Sequence, residues 1–188
     1  MDNREQLLDR ALVLFSQRGY DAVGVQEIVE AAGVTKPTLY HYFDSKRGLL
    51  EALLQRGSSS LLTSIEKAST YQGDLVLTLE KITQAYFDFA QEHPVFYMMQ
   101  YGMFFSPPDS EAHQAVLPYY KQQYELISGV FIKAAENHGN LRGRQQRYAL
   151  GLLGGITAMI GLYLDGKIEL TGEVVYQTVH QFMYGIFS

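Results

Sequence analysis

A chain of 188 residues with no cysteine and a formal net charge of −5 excludes a disulfide scaffold, a thiolate zinc centre and a protein that coats nucleic acid through bulk positive charge. The length is enough to bury a proper core, either as one domain or as a small domain joined to a larger one. The missing cysteines fit a reducing cytoplasm, and the polar start Met1–Gln6 runs straight into a helix, so we expect a cytoplasmic protein without a signal peptide.

Asp2 or Asn3 caps a first predicted helix in which Leu7, Leu8, Ala11, Leu12, Leu14 and Phe15 recur at helical spacing, and Gly19 ends it. After a loop over Gly19–Gly24, Val25–Ala32 reads as a short amphipathic helix with Val25, Ile28, Val29 and Ala32 on one face. Gly33 stops it by permitting a left-handed backbone, and Val34 packs inside the corner. Thr35 restarts the helix with a hydroxyl placed to cap the free N–H groups of the next turn, and Pro37 falls where its missing N–H costs nothing. This second helix runs to Tyr42 or Phe43, completing a helix-turn-helix. Leu39 and Phe43 face the first helix, which turns Pro37, Thr38, Tyr40 and His41 outward.

That outward face suits a DNA groove. Lys36 and His41 are placed to donate to base acceptors, Pro37 to meet a thymine methyl, and Thr38, Tyr40 and Tyr42 to donate hydroxyls to phosphate. Ser45 caps the next helix, which opens with Lys46 and Arg47 and so offers N–H groups and cations together, a phosphate site. Between Ala32 and Leu50 the cations Lys36, Lys46 and Arg47 oppose only Asp44, so the positive potential is local. The candidate DNA-reading set is therefore Thr35, Lys36, Pro37, Thr38, Tyr40, His41, Tyr42 and Lys46. An ordinary helical hairpin gives no reason for Pro37, Tyr40 and His41 to face outward.

Residues 33–46, Gly-Val-Thr-Lys-Pro-Thr-Leu-Tyr-His-Tyr-Phe-Asp-Ser-Lys, closely resemble the signature of the TetR family of bacterial transcription regulators. Turn glycine, cap, Thr-Leu-Tyr, aromatic pair and Ser-Lys all fall in register. Gly24 stands where a Thr or Ser commonly caps the first helix of the motif, forfeiting a hydroxyl that in relatives often touches phosphate; Val29 replaces a frequent alanine. The resemblance implies an all-α fold: a three-helix head over residues 1–46 and about six helices over 47–188 forming a ligand-sensing and dimerisation body. It implies a homodimer that binds a near-palindromic DNA operator, most often as a repressor, and releases it when a small molecule fills the body. It also implies that Tyr20 is a core residue and that the helix after Ser45 acts as a lever on the two heads.

Leu49, Leu50, Leu53 and Leu54 continue that helix to about Lys67, and Thr70–Asp74 breaks the pattern. A helix over Leu75–Glu92 carries Leu75, Leu79, Ile82, Tyr86, Phe89 and Ala90; His93-Pro94 then opens Val95–Phe105, which has almost no polar face and is expected to be surrounded by protein. Ser106–Asp109 stops it, and His113–Ala135 forms the next helix, with Tyr119, Tyr120, Tyr124, Ile127 and Phe131. Tyrosines need hydroxyl partners when buried, and methionines such as Met98, Met99 and Met103 adapt to bound molecules, so this run suggests a pocket for a flat or apolar small molecule. Its candidate lining is Tyr86, Phe89, Tyr97, Gln100, Tyr101, Phe104, Tyr120 and Tyr124, with His93 and His113 as further polar groups.

Beyond a break at Asn137–Asn140, Ala149–Leu164 has no charge but falls short of the ~20 residues that span a bilayer, so a buried or interfacial helix is expected and no membrane contact. Gly151, Gly154, Gly155, Ala158 and Gly161 cluster in it; helical glycines cost about 1 kcal/mol each, which implies close approach of another helix. Thr171 caps a last helix over Glu173–Phe187 with an apolar stripe of Val174, Val175, Val179, Phe182, Met183 and Ile186. With nothing left in the chain to cover both stripes, a second copy is expected to, through Gly151, Gly155, Ala158, Leu162, Val175, Val179, Phe182 and Met183 in a four-helix interface. His93, His113, His138 and His180 are not spaced as a metal site, no cofactor motif is present, and no nucleophile elbow or acid–base pair suggests an enzyme. The rival reading is a DNA-binding regulator controlled by a protein partner without small-molecule sensing.

Overall fold

The computed structural model describes residues 2–185. Among them are nine α-helices and no strand: α1 (Asn3–Arg18), α2 (Val25–Ala31), α3 (Lys36–Phe43), α4 (Lys46–Ala68), α5 (Leu75–Glu92), α6 (Pro94–Phe104), α7 (Glu111–Asn137), α8 (Gln145–Leu164) and α9 (Gly172–Tyr184), with a 3₁₀ turn at Gly139–Leu141. The all-α class and the order of head and body helices follow the expectation.

The chain forms two compact units, Met1–Ser60 with His93–Tyr119, and Leu61–Glu92 with Tyr120–Ser188. The first takes in the expected head and more. Apolar residues at helical spacing on α1, α2 and α3 put Leu7, Leu8, Ala11, Phe15, Ile28, Val29, Leu39 and Phe43 in one core, completed by Leu49, Leu50, Leu53 and Leu54 of α4. α1 packs on α2, α3 and α6. Two contacts extend the unit past residue 46. Arg56 of α4 bridges back to Glu5 at 2.8 Å and Asp9 at 3.0 Å on α1, and Gly57 receives the Phe96 ring, which a Cβ there would meet at 2.2 Å.

In the second unit α5 buries Leu79, Ile82, Thr83, Tyr86, Phe87, Phe89 and Ala90 and packs on α8 and α9, which also pack on each other. Phe131, Tyr148 and Phe182 form a ring cluster with centroids 5.9, 6.1 and 6.3 Å apart. The Tyr86 hydroxyl donates to Gln123 Oε1 at 2.8 Å, and Gln91 Nε2 to the Leu170 carbonyl at 3.2 Å.

Three expectations need correction. The first concerns α6, which is not enclosed: Val95, Met98, Tyr101 and Phe105, about a turn apart, lie exposed, Phe105 at 67 %. A segment apolar all round has no periodicity to show that one side stays in water. The second concerns the last helix, whose stripe is covered in part within its own chain: α9 lies on α5 and buries Val175 to 5 % and Val179 to 0 % exposure, while Phe182, held in the ring cluster, Val174 and Met183 are half-buried. Val175 and Val179 therefore have no surface to give a second copy. Ile186 and Phe187, expected to end that helix, lie outside the described residues. Third, the chargeless stretch Ala149–Leu164 is part of a longer helix, α8, which at 20 residues is long and apolar enough to cross a membrane by length and composition alone, and most of it is not buried.

Candidate nucleic-acid interface

The corner between α2 and α3 is built by backbone. Ala32 N–H donates to the Ile28 carbonyl at 3.0 Å, and Val34 N–H reaches back to Val29 at 2.9 Å. Gly33 makes this possible at φ +66°, a left-handed value that side chains resist. Thr35 starts α3 from extended backbone, but its hydroxyl bonds the Thr38 hydroxyl at 2.9 Å instead of a backbone N–H. The expected side-chain cap is thus absent, and the hydroxyl pair ties the first turn together instead.

Leu39 and Phe43 fix α3 against the core at 0 % and 5 % exposure. Thr35, Lys36, Pro37, Tyr40, His41 and Tyr42 are exposed and Thr38 is half-buried. Seven of the eight candidate residues thus sit along the open side of one short helix and its cap. His41 and Tyr42 stack edge to face at 5.2 Å.

Lys46 is placed differently. Its ammonium donates to the carbonyls of Tyr20 and Val23, both at 3.0 Å, and lies 4.0 Å above the Tyr20 ring centre. It turns inward and holds the loop between α1 and α2. Arg47 is also engaged, with Glu51 at 2.7 Å and with the Glu111 carbonyl at 3.1 Å. Ser45 does cap α4, accepting from Gly48 N–H at 2.9 Å.

Sequence reasoning missed two residues that shape this surface, and the partner of a third, Tyr20, whose place in the core was expected. Gly48 lies under the Phe43 carbonyl oxygen, which a Cβ would meet at 2.0 Å; a glycine in the first turn of a helix was the available signal. Asp44 closes α3 at φ 59°. Tyr20, 3 % exposed, donates its hydroxyl to Glu111 at 2.6 Å. Burial first, then that hydrogen bond and the Glu111 charge, push the hydroxyl well above its ordinary 10.0, so it stays a donor. Nothing in the local pattern points from residue 20 to residue 111.

The candidate ligand residues divide between the units. In the first, Tyr97 and Gln100 are buried, Phe104 is half-buried against His113, and Tyr101 is exposed, stacked on Phe105 at 4.9 Å. In the second, Tyr86 and Phe89 are buried and Tyr120 and Tyr124 half-buried. Gln100 Oε1 and Gln123 Nε2 are buried without hydrogen-bond partners, and Gln123 was not among the residues expected.

An all-α chain with this corner and this outward face is a helix-turn-helix protein. Residues 7–53 match the family model described as bacterial regulatory proteins, tetR family. The HTH-type transcriptional activator FasR of Mycolicibacterium smegmatis is 40 % identical over 90 residues, 48 % of this chain and 41 % of that protein. The chain thus matches less than half the length of this curated relative. The TetR family transcriptional regulator PfmR of Thermus thermophilus superposes with a TM-score of 0.75 at 23 % identity, over 97 % of this chain and 99 % of that one. The transcriptional regulator FadR of Bacillus subtilis, in complex with stearoyl-CoA, superposes with a TM-score of 0.79 at 18 % identity, over 97 % and 98 %. Residues 7–53 are thus similar to the DNA-binding region of tetR-family regulators, and the solved structures, both under 25 % identical, show the fold.

Proposed function

We propose that the protein is a homodimeric DNA-binding transcriptional regulator whose hold on its operator changes when a small apolar molecule enters the helical body. The observation that carries the DNA reading is α3 itself: Leu39 and Phe43 anchor it while Lys36, Pro37, Tyr40 and His41 stand exposed on its other side. Base edges are read by such side chains, and phosphates by the hydroxyls and cations around them. Replacing His41 by Ala should relax base preference at one position of the selected site by about ten-fold while leaving affinity for scrambled DNA within about two-fold. A binding-site selection that returns an unchanged consensus would remove His41 from the reading set.

The dimer reading rests on α8. Leu150, Gly154, Ala158 and Leu162 follow one another at four-residue spacing, with Gly151 beside them three before Gly154, and all are exposed, so an apolar face rich in small residues awaits a close-packed helix. With Val175 and Val179 turned inward, α9 contributes Tyr176, His180 and Tyr184, whose rings stack at 5.3 and 4.7 Å along its outer side. Ala158→Arg should convert the dimer to a monomer in sedimentation and abolish binding to a two-half-site duplex.

For the ligand, the second unit offers Gln123 beside Tyr86, with both N–H donors of its amide nitrogen unsatisfied. The buried polar side chains among the described residues are all neutral, which suits an uncharged acyl chain and carbonyl better than a free carboxylate. FadR, whose structure holds stearoyl-CoA, supports a long-chain acyl thioester as the effector. The deciding experiment selects duplexes from random DNA with the full chain, then measures their release by stearoyl-CoA against coenzyme A alone. Release by the thioester and not by coenzyme A supports the reading, and transcription from the selected site then separates repressor from activator. Release by neither favours control by a protein partner, for which the exposed α6 side (Val95, Met98, Tyr101, Phe105) is the supporting observation.

A further inference from the structure

A buried core aromatic at position 20 needs only a ring; phenylalanine would fill the same space. The tyrosine hydroxyl instead spans 91 residues of sequence to Glu111 Oε2 at 2.6 Å. Glu111 opens α7, and its own carbonyl accepts from Arg47 Nη1 at 3.1 Å in the first turn of α4. The Tyr20 carbonyl in turn accepts from Lys46 Nζ. One residue of α7 thus fastens both the loop that leads into α2 and the start of α4 that follows α3, all inside one compact unit.

We infer that Glu111 is a positioning residue for DNA reading: through Tyr20 and Arg47 it holds the lead-in to α2 and the exit from α3 at the spacing in which the exposed side of α3 meets a groove. This rests on the DNA-binding reading above. Glu111 touches no base. Its effect belongs to the geometry of the head, and therefore to discrimination between sequences more than to bulk adhesion to DNA.

The test uses the full chain, a duplex selected from random DNA by the wild-type protein, and a scrambled duplex of the same composition. Glu111→Ala and Tyr20→Phe should each weaken the selected duplex by about ten-fold, the worth of one hydrogen bond to a charged group. The scrambled duplex should change by less than about two-fold, with the salt slope unaltered. Glu111→Gln, whose amide oxygen can still accept from Tyr20, should recover most of the loss, and the double variant should be no weaker than Glu111→Ala alone. Wild-type discrimination in both single variants would overturn the role. So would tighter binding of both duplexes by Glu111→Ala and Glu111→Gln, which would make the carboxylate a mere repulsive charge. Equal loss on both duplexes, tracking a fallen melting temperature, would overturn it in favour of plain stability. A wild-type chain that enriches no duplex overturns DNA reading itself and this role with it.

Discussion

Gly48→Ala is expected to lower the melting temperature by on the order of 10 °C and to abolish binding to a selected duplex, although alanine is the better helix former. The reason is the corner between α3 and α4. Asp44 takes φ 59°, Ser45 N–H donates to the Phe43 carbonyl at 2.6 Å, and that carbonyl then hangs over the first turn of α4. A Cβ on Gly48 would stand 2.0 Å from the Phe43 oxygen and 3.2 Å from its carbon. These are backbone atoms, so no rotamer change relieves the overlap; the corner must open. Overpacking of this kind costs about 3 kcal/mol, and here the strain falls on Phe43, which anchors α3. Gly102→Ala is the matched control: it too is a helical glycine, but a Cβ there meets nothing within 4 Å, and the substitution should leave or slightly raise stability. Circular dichroism melts and fluorescence anisotropy on the three proteins check this. A Gly48→Ala protein that melts and binds like wild type would mean that the corner yields freely.

Lys46→Met should destabilise the protein by about 2 kcal/mol and weaken binding to all duplexes without changing the salt slope. Methionine keeps the apolar stem but removes the ammonium that joins the Tyr20 and Val23 carbonyls and sits over the Tyr20 ring. The two carbonyls lose their shared donor, and the loop into α2 loosens. Had Lys46 been a phosphate contact, its loss would flatten the dependence on salt by about one counterion at unchanged stability. Titrations at several salt concentrations, with a thermal melt beside them, separate the outcomes. A flattened slope at an unaltered melting temperature would return Lys46 to the DNA surface.

The helix-turn-helix was legible because its signals are local. Gly33 needs a left-handed turn, Leu39 and Phe43 are one turn apart, and together they fix which side of α3 stays open. The directions of Lys46 and Arg47 were not, since both are set by partners far away: the carbonyls of Tyr20 and Val23 for one, that of Glu111 for the other. Periodicity identified Val175 and Val179 as a face to be buried, but periodicity does not name the cover, and α5 of the same chain supplies it. Thr35 has the right residue type for a cap, yet Thr38 competes for its hydroxyl at 2.9 Å.

The engagement of Lys46 and Arg47 also bears on how the protein searches a genome. Of the three cations between residues 32 and 50, two are spent on carbonyl oxygens and a carboxylate of their own chain, and the molecule as a whole carries −5. On the DNA-binding reading proposed above, residence on random duplex is expected to be brief and sliding short, with most encounters ending in dissociation. Such a molecule reaches its target by many quick rejections, and its occupancy depends on the contrast between right and wrong sites more than on any general attraction to DNA.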